Sequence, residues 1–256
     1  MVNLGFKPSD GSVARKAFPH VRELVIVVGA YFAYMFTRTL IFSDVSVAFD
    51  NAERVVALEK NLGLHWGPVW QGWVLGTATG LVVFFNWVYI FTFFPIVITT
   101  AIILYVVDRR RYKYFRNVVL VSFVVALVIF MLFPLAPPRM LPGINDTIDT
   151  FGPAFYASRN LATYYNAFAA MPSLHFAWTL IFGFMFLSFR PLPFKIFGLL
   201  YPTMTLLAIT ITGNHYILDA VGGGIVMVSS LTLVFLFQQR LRHHRRDRRR
   251  MQTGAA

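Results

Sequence analysis

The chain has 256 residues, 57% hydrophobic and only 13% charged, with a net charge of +12, 27 phenylalanines and no cysteine. An ordinary soluble domain carries about a quarter charged residues, so this is too much apolar surface for one soluble core. Disulfides and thiolate metal sites are excluded. Apolar runs near 20 residues recur, each long enough to span a hydrocarbon core of about 30 Å. The composition therefore predicts an all-α, polytopic helical membrane protein. The basic residues sit in short clusters between apolar runs, which fits orientation in a membrane better than nucleic-acid binding.

Residues 1–20 form a polar N-terminal tail, and the first span is expected over about 21–42, with Arg38 near its far end. The first apolar run is long and no small-residue cleavage pattern follows it, so a cleavable signal peptide is not expected. Asn51–Lys60 reads as an amphipathic helix at the membrane surface. Val55, Leu58 and Leu62 lie at helical spacing opposite Glu53, Arg54, Lys60 and Asn61, Asp50 or Asn51 suits the N-cap, and Gly63 suits the C-terminal stop. Residues 69–107 are too long for one simple helix at 1.5 Å per residue. Gly72, Gly76, Gly80, Asn86 and Pro95 offer places to bend or break, and an interfacial piece followed by one span over about 81–107 is expected.

Asp108–Arg116 reads as a basic loop before a third span over 117–135, which the paired prolines Pro137 and Pro138 stop. Residues 141–168 form a long polar connection, of a length that is more often functional than idle. A fourth span starts at Met171-Pro172-Ser173 and runs to Phe189, with Pro172 near its first turn. A fifth covers about 196–212, and a sixth runs from near His215 to Phe237. Gly222–Gly224 lie inside that last span, where glycines allow close helix contact. The expected organisation is thus a tail at 1–20, a catalytic membrane domain of six spans at 21–238 and a basic cytoplasmic tail at 239–256.

Six spans put the basic clusters at 109–116, 190–195 and after Arg240 on one side, with Arg15 and Lys16. The positive-inside rule makes that side, with both termini, the cytoplasm. Arg139, Ser173, His175, His215 and Asp219 then share the opposite face. His215 and Asp219, four apart on a helix, can interact. A carboxylate there can fix the imidazole tautomer and free the other nitrogen to attack. His175 can serve as general acid, while Arg139, Ser173 and the start of span four can bind an oxyanion. These are the parts that phosphoryl transfer requires. A metal held by His175, His215 and Asp219 would have only three such ligands, beside an Arg139 that repels cations. No metal and no other cofactor are expected. His20, His65, His243 and His244 are read as interfacial or tail residues without a role. A transporter or channel that uses the same groups as a proton relay is the competing reading.

Pro172-Ser173-Leu174-His175 and His215-x-x-x-Asp219 resemble the second and third motifs of the type 2 phosphatidic acid phosphatase superfamily. That resemblance implies that His215 is the nucleophile of a phosphohistidine intermediate, Asp219 its orienter and His175 the leaving-group acid. The third motif usually has Ser-Arg before its histidine, where this chain has Ala208-Ile209. The first motif, Lys-x6-Arg-Pro, has no match, and Ala136-Pro137-Pro138-Arg139 is its nearest substitute. Together with Asn51-Ala52-Glu53 and Leu58–Leu64, these motifs look like the Aur1/inositol phosphorylceramide synthase-like branch and its bacterial relatives. The branch implies a lipid phosphate or phospholipid substrate at the non-cytoplasmic face of a membrane, here a bacterial plasma membrane, with water or an alcohol as acceptor. Arg139, then Arg38, are the nominees for the phosphate clamp.

Overall fold

The computed structural model describes residues 10–40, 45–153 and 168–253; the side chains of 10–17, 34, 37–40 and 245–253 also fall outside the description. The chain divides into two compact units, Met1–Phe42 and Ser43–Ala256. The first holds α1, Asp10–Leu40, with Pro19 inside it. The helix thus begins within the polar tail, where Ser12–Phe18 contain no glycine or proline to stop it.

The second unit is built of helices, with no strand among its described residues. α2 is Val45–Asn61 and α3 is Gly67–Thr77. α4, Thr79–Trp87, runs through a π-helical turn, Val88–Thr92, into α5, Phe93–Val107. α6 is Arg109–Leu132, and a 3-10 turn at Pro138–Met140 leads to the short α7, Thr147–Phe151. α8 is Leu174–Leu187, α9 is Leu192–Ile211 and α10 is Ile217–Thr253. Among the described residues, four helices are long and apolar enough to cross a membrane: Thr79–Val107, α6, α9 and the Ile217–His244 part of α10. α8 is apolar but has only 14 residues, about 21 Å at 1.5 Å each.

Several boundaries depart from the sequence expectation, each for a local reason. α2 begins at Val45, so Asp50 and Asn51 lie inside it and cap nothing. Its buried face is Ala48, Asn51, Ala52, Val55 and Glu59, whereas Leu58 and Leu62 are 49% and 57% exposed. The small residues allow α2 to lie close to the 134–136 segment: Asn51 Nδ2 donates to Pro134 O at 2.9 Å, and Ala136 N to Ala48 O at 3.1 Å. Gly63 does end the helix, at φ +69°, with Leu64 N donating back to Glu59 O.

The 67–107 stretch breaks once, at Ala78, between Gly76 and Gly80. Pro95 breaks nothing. The π turn opens the backbone around the Phe91 carbonyl, which the proline ring would otherwise strike. The expected basic loop at 108–116 is instead the start of α6. Asp108 caps it by accepting from Arg111 N at 2.9 Å, and nothing in Arg109–Arg116 breaks a helix. In the fourth span the N-cap is Ser173, so Pro172 precedes the helix rather than entering its first turn.

The core has three parts. Leu104, Phe115, Val118, Ile181, Met185 and Val234 join α5, α6, α8 and α10. Val74, Val82, Phe85, Ala208 and Ile211 join α3 and α4 to α9. Ala48, Ala52, Leu135, Ala136, Ala170 and Tyr216 join α2 to the loops at one end of the bundle. At that end the chain is extended but paired: Leu135 N donates to Phe168 O, and Ala170 N to Leu135 O.

α8 and α10 approach closely at Gly223, where an added Cβ would lie 2.6 Å from the Ser173 carbonyl oxygen. Gly223→Ala is therefore expected to destabilise the protein by about 1–3 kcal/mol, read as a lower unfolding temperature in detergent. Gly224→Ala, whose Cβ would meet nothing nearer than 3.8 Å, is expected to leave that temperature unchanged.

Candidate active site

The site is built where α9 hands over to α10. Gly213 takes φ +69°, and a Cβ there would come within 3.0 Å of the Ile144 side chain. The reversal lets both Asn214 N and His215 N donate to Ile209 O, at 3.0 Å each. His215 is thereby held rigidly two residues before α10 begins.

His215 Nδ1 faces two acceptors, Ala170 O at 2.9 Å and Asp219 Oδ2 at 3.2 Å. A carbonyl oxygen can only accept, so the neutral ring carries its proton on Nδ1 and keeps its lone pair on Nε2. Asp219 is fully buried. Its Oδ2 also accepts from Tyr216 N at 2.9 Å, and its backbone carbonyl accepts from Ser173 N at 3.0 Å. The second histidine motif is thus hydrogen-bonded to the start of the first. Asp219 Oδ1 is buried without a partner among the described residues.

His175 lies in the first turn of α8, with its ring centroid 6.2 Å from that of His215. It stacks on Tyr89 at 4.7 Å and lies 4.1 Å from the Phe93 ring. Tyr89 and Phe93 are contributed by the π turn and the start of α5, an irregularity of the kind that recurs at functional sites. Ser173 is buried and caps α8, its Oγ accepting from Phe176 N at 3.3 Å. That bond leaves the hydroxyl proton free to donate.

Arg139 comes from the 3-10 turn. Its backbone N donates to Gly213 O at 2.8 Å, its Nη1 donates to Asn214 Oδ1, and its Nε lies 3.3 Å from Asp146 Oδ2. Arg139 therefore binds the residue next to His215, and two of its five N–H donors are engaged among the described residues. Arg38 lies in α1, in the other compact unit, and its side chain is outside the described residues. A cavity of about 270 Å³ opens beside His215, lined also by Glu59, Lys60, His65, Thr210 and Tyr216.

Two histidines close together, one of them pinned by a carboxylate four residues on, are the arrangement the motifs anticipated. The family model described as PAP2 superfamily matches residues 53–233, well over half of the chain. The chain belongs to the PAP2 superfamily. No curated protein and no solved structure gives a significant match. Membership points to phosphatase or phosphotransferase chemistry and to membrane association.

In this PAP2 chain the Ser-Arg of the third motif is replaced by Ala208 and Ile209, both fully buried. Their positions are taken up by packing, and the Ile209 carbonyl by the two turn hydrogen bonds. Arg139 is the arginine that reaches the His215 turn, and it arrives from a different loop.

Sequence reasoning missed the residues that hold that loop. Gln71, expected to be no more than part of an apolar run, is buried. Its Nε2 donates to Ile211 O at 2.9 Å and Asn145 O at 3.0 Å, and its Oε1 accepts from Asn145 N at 2.8 Å. Asn86 and Thr147 pair twice, Asn86 Nδ2 donating to Thr147 O at 2.7 Å and Thr147 Oγ1 to Asn86 Oδ1 at 2.8 Å. The available signal was polarity: an amide inside an apolar run must find partners. Among the described residues no three His, Asp or Glu side chains are grouped as ligands for a metal ion.

The hydrogen bonds make a spectroscopic prediction. In protein labelled with ¹⁵N-histidine, His215 is expected to show the Nδ1–H tautomer at neutral pH. An Nε2–H tautomer would contradict the assignment of its partners.

Proposed function

We propose that this protein is a membrane-embedded lipid phosphatase or phosphotransferase that works through a phosphohistidine on His215. The observation that carries the reading is the pair of acceptors on His215 Nδ1, which leaves Nε2 as a nucleophile. In the first step Nε2 attacks phosphorus, the bond from phosphorus to the leaving oxygen breaks, and protonated His175 gives its proton to that oxygen. In the second step neutral His175 takes a proton from water or an alcohol. The oxygen so activated attacks phosphorus, and the P–N bond breaks. Asp219 stabilises the charge that develops on the His215 ring.

The phosphate oxygens are bound by Arg139, by the Ser173 hydroxyl and by the first N–H groups of α8, whose dipole favours an anion. Tyr89 and Phe93 lie against the His175 ring and hold its orientation.

The membrane arrangement belongs to the same proposal. α1 and α8 complete a count of six spans, with both termini in the cytoplasm of a bacterial cell and the site at the opposite face. Supporting this, the start of α6, the turn before α9 and the tail of α10 are basic, while the end of the bundle that carries His215 is not. The short α8 crosses with the help of the 168–173 segment, in which Ala170, Pro172 and Ser173 are buried in protein, as irregular backbone at membrane depth must be. α2, with Leu58 and Leu62 exposed, lies on the surface of the non-cytoplasmic leaflet. The resemblance of the motifs to the Aur1/inositol phosphorylceramide synthase-like branch supports a substrate among lipid phosphates and phospholipid head groups.

The purified protein in detergent is expected to release phosphate from, or transfer it between, members of a panel containing phosphatidic acid, a prenyl phosphate and a phosphatidylinositol. Orthovanadate should inhibit it and EDTA should not. Flux across liposomes without phosphorus chemistry on any member would contradict the proposal. His175→Ala should lower the rate on an alkyl phosphate ester about 10²–10⁴-fold, the usual worth of a general acid. On an aryl ester whose leaving group needs no proton, the loss should be much smaller. Equal losses on both esters would remove His175 from the acid role.

A further inference from the structure

α10 has an unusual N-terminus. Its first helical residue is Ile217, so the preceding Tyr216 stands where a Ser, Thr, Asp or Asn would normally cap the helix. Tyr216 cannot do so, because its hydroxyl donates to Ala136 O at 3.0 Å. The oxygen that a cap would supply comes instead from another helix: Glu59 Oε1 accepts from Leu218 N at 3.0 Å, across 159 residues of sequence. Asp219 reaches back to Tyr216 N, which is the return half of a capping box. Glu59, from α2, thus supplies the acceptor that an N-cap side chain would offer to the second N–H of the helix, beside the return bond of Asp219.

We propose that Glu59 is a positioning residue for the nucleophile: by capping α10 it keeps the Asp219 carboxylate on His215. The inference rests on the phosphohistidine reading of His215. Three observations carry it. Glu59 is only 2% exposed, at the inner end of the buried face of α2. Its other oxygen, Oε2, lies 3.3 Å from His65 Nδ1, which fixes the carboxylate from the cavity side. Asp219 Oδ1 has no partner among the described residues. The Asp219 side chain is therefore held only through its other oxygen, by His215 and Tyr216 N. A half-buried Leu218 N–H left without its acceptor competes for that carboxylate and draws it off the imidazole.

Burial pushes the Glu59 carboxyl up from its ordinary range, against the bonds from Leu218 and His65. A neutral carboxyl still accepts through its carbonyl oxygen, so the cap requires an acceptor rather than a charge. Glutamine meets that requirement, and alanine or methionine does not. α2 stays docked in all three variants, because Asn51 and Ala48 hold it to the 134–136 segment independently.

The test uses the full chain in detergent micelles, with phosphatidic acid as the kinetic probe and ¹⁵N-histidine spectra as a second readout. Glu59→Ala and the volume-conserving Glu59→Met are expected to lower kcat about 10- to 100-fold, the range of a small misplacement of a reacting group. KM should stay within about twofold, because ground-state binding is untouched. Both should shift the His215 ring signals, and Glu59→Gln should restore wild-type signals and most of kcat. The Met variant carries the comparison if the Ala variant does not fold. Wild-type kcat and wild-type His215 signals in the Ala or Met variant would overturn the proposal, as would a Gln variant as impaired as Ala. If wild-type protein does not turn over phosphatidic acid, that outcome counts against the substrate reading, and the His215 spectra of the variants decide the positioning role by themselves.

Discussion

His215 Nδ1 lies between the carbonyl of Ala170 and the carboxylate of Asp219, and the site end of the bundle is arranged to keep it there. The Ala170 carbonyl is in place because Ala170 N pairs with Leu135 O, at the start of the segment that leads to Arg139. The Asp219 carboxylate is in place because it accepts from Tyr216 N, while Glu59 of α2 accepts from Leu218 N in the same turn. One protonated nitrogen thereby ties together four stretches of chain that are far apart in sequence. In an environment with little water, each of these bonds is made by protein or is not made at all.

The rest of the fold supplies rigidity where this arrangement needs it. The large apolar cluster of α5, α6, α8 and α10 sets the distance between α8, which bears His175, and α10, which His215 precedes, and Gly223 lets the two helices meet at Ser173. Two amide side chains, Gln71 and Asn86, lock the loop that delivers Arg139. Arg139 is then bound to Asn214 and Asp146 before any substrate arrives. A guanidinium fixed in this way has lost its side-chain entropy in advance, so in the proposed role it would meet an anion as a preorganised donor.

The histidine motifs and the helical membrane class were legible in the sequence because both are local signals. His215 and Asp219 are four apart, and apolar runs announce themselves by length. Arg139, Ser173 and His215 are joined by hydrogen bonds through Asn214, Asp219 and Gly213. What could not be read was anything decided by a partner far along the chain. The protein-facing side of α2 could not be read, because small Ala48 and Ala52 are what close packing selects and Glu59 has its acceptor role only once α10 is beside it. His65 reads as an interfacial residue without a role, because its contact with Glu59 depends on how the chain turns after α2. Tyr89 and Phe93 flank His175 through a π turn that no periodicity announces. The basic stretch after Asp108 was read as a loop from its charge, although its capping aspartate and lack of breakers favour a helix.

The central claim is that Nε2 of His215 forms a bond to phosphorus. The most direct measurement is to mix the enzyme with a lipid phosphate labelled at phosphorus, quench within one turnover and locate the label by mass spectrometry. The account predicts an acid-labile phosphoryl adduct on His215 that is absent from His215→Ala. Label on any other residue, or an adduct that survives in His215→Ala, would contradict it.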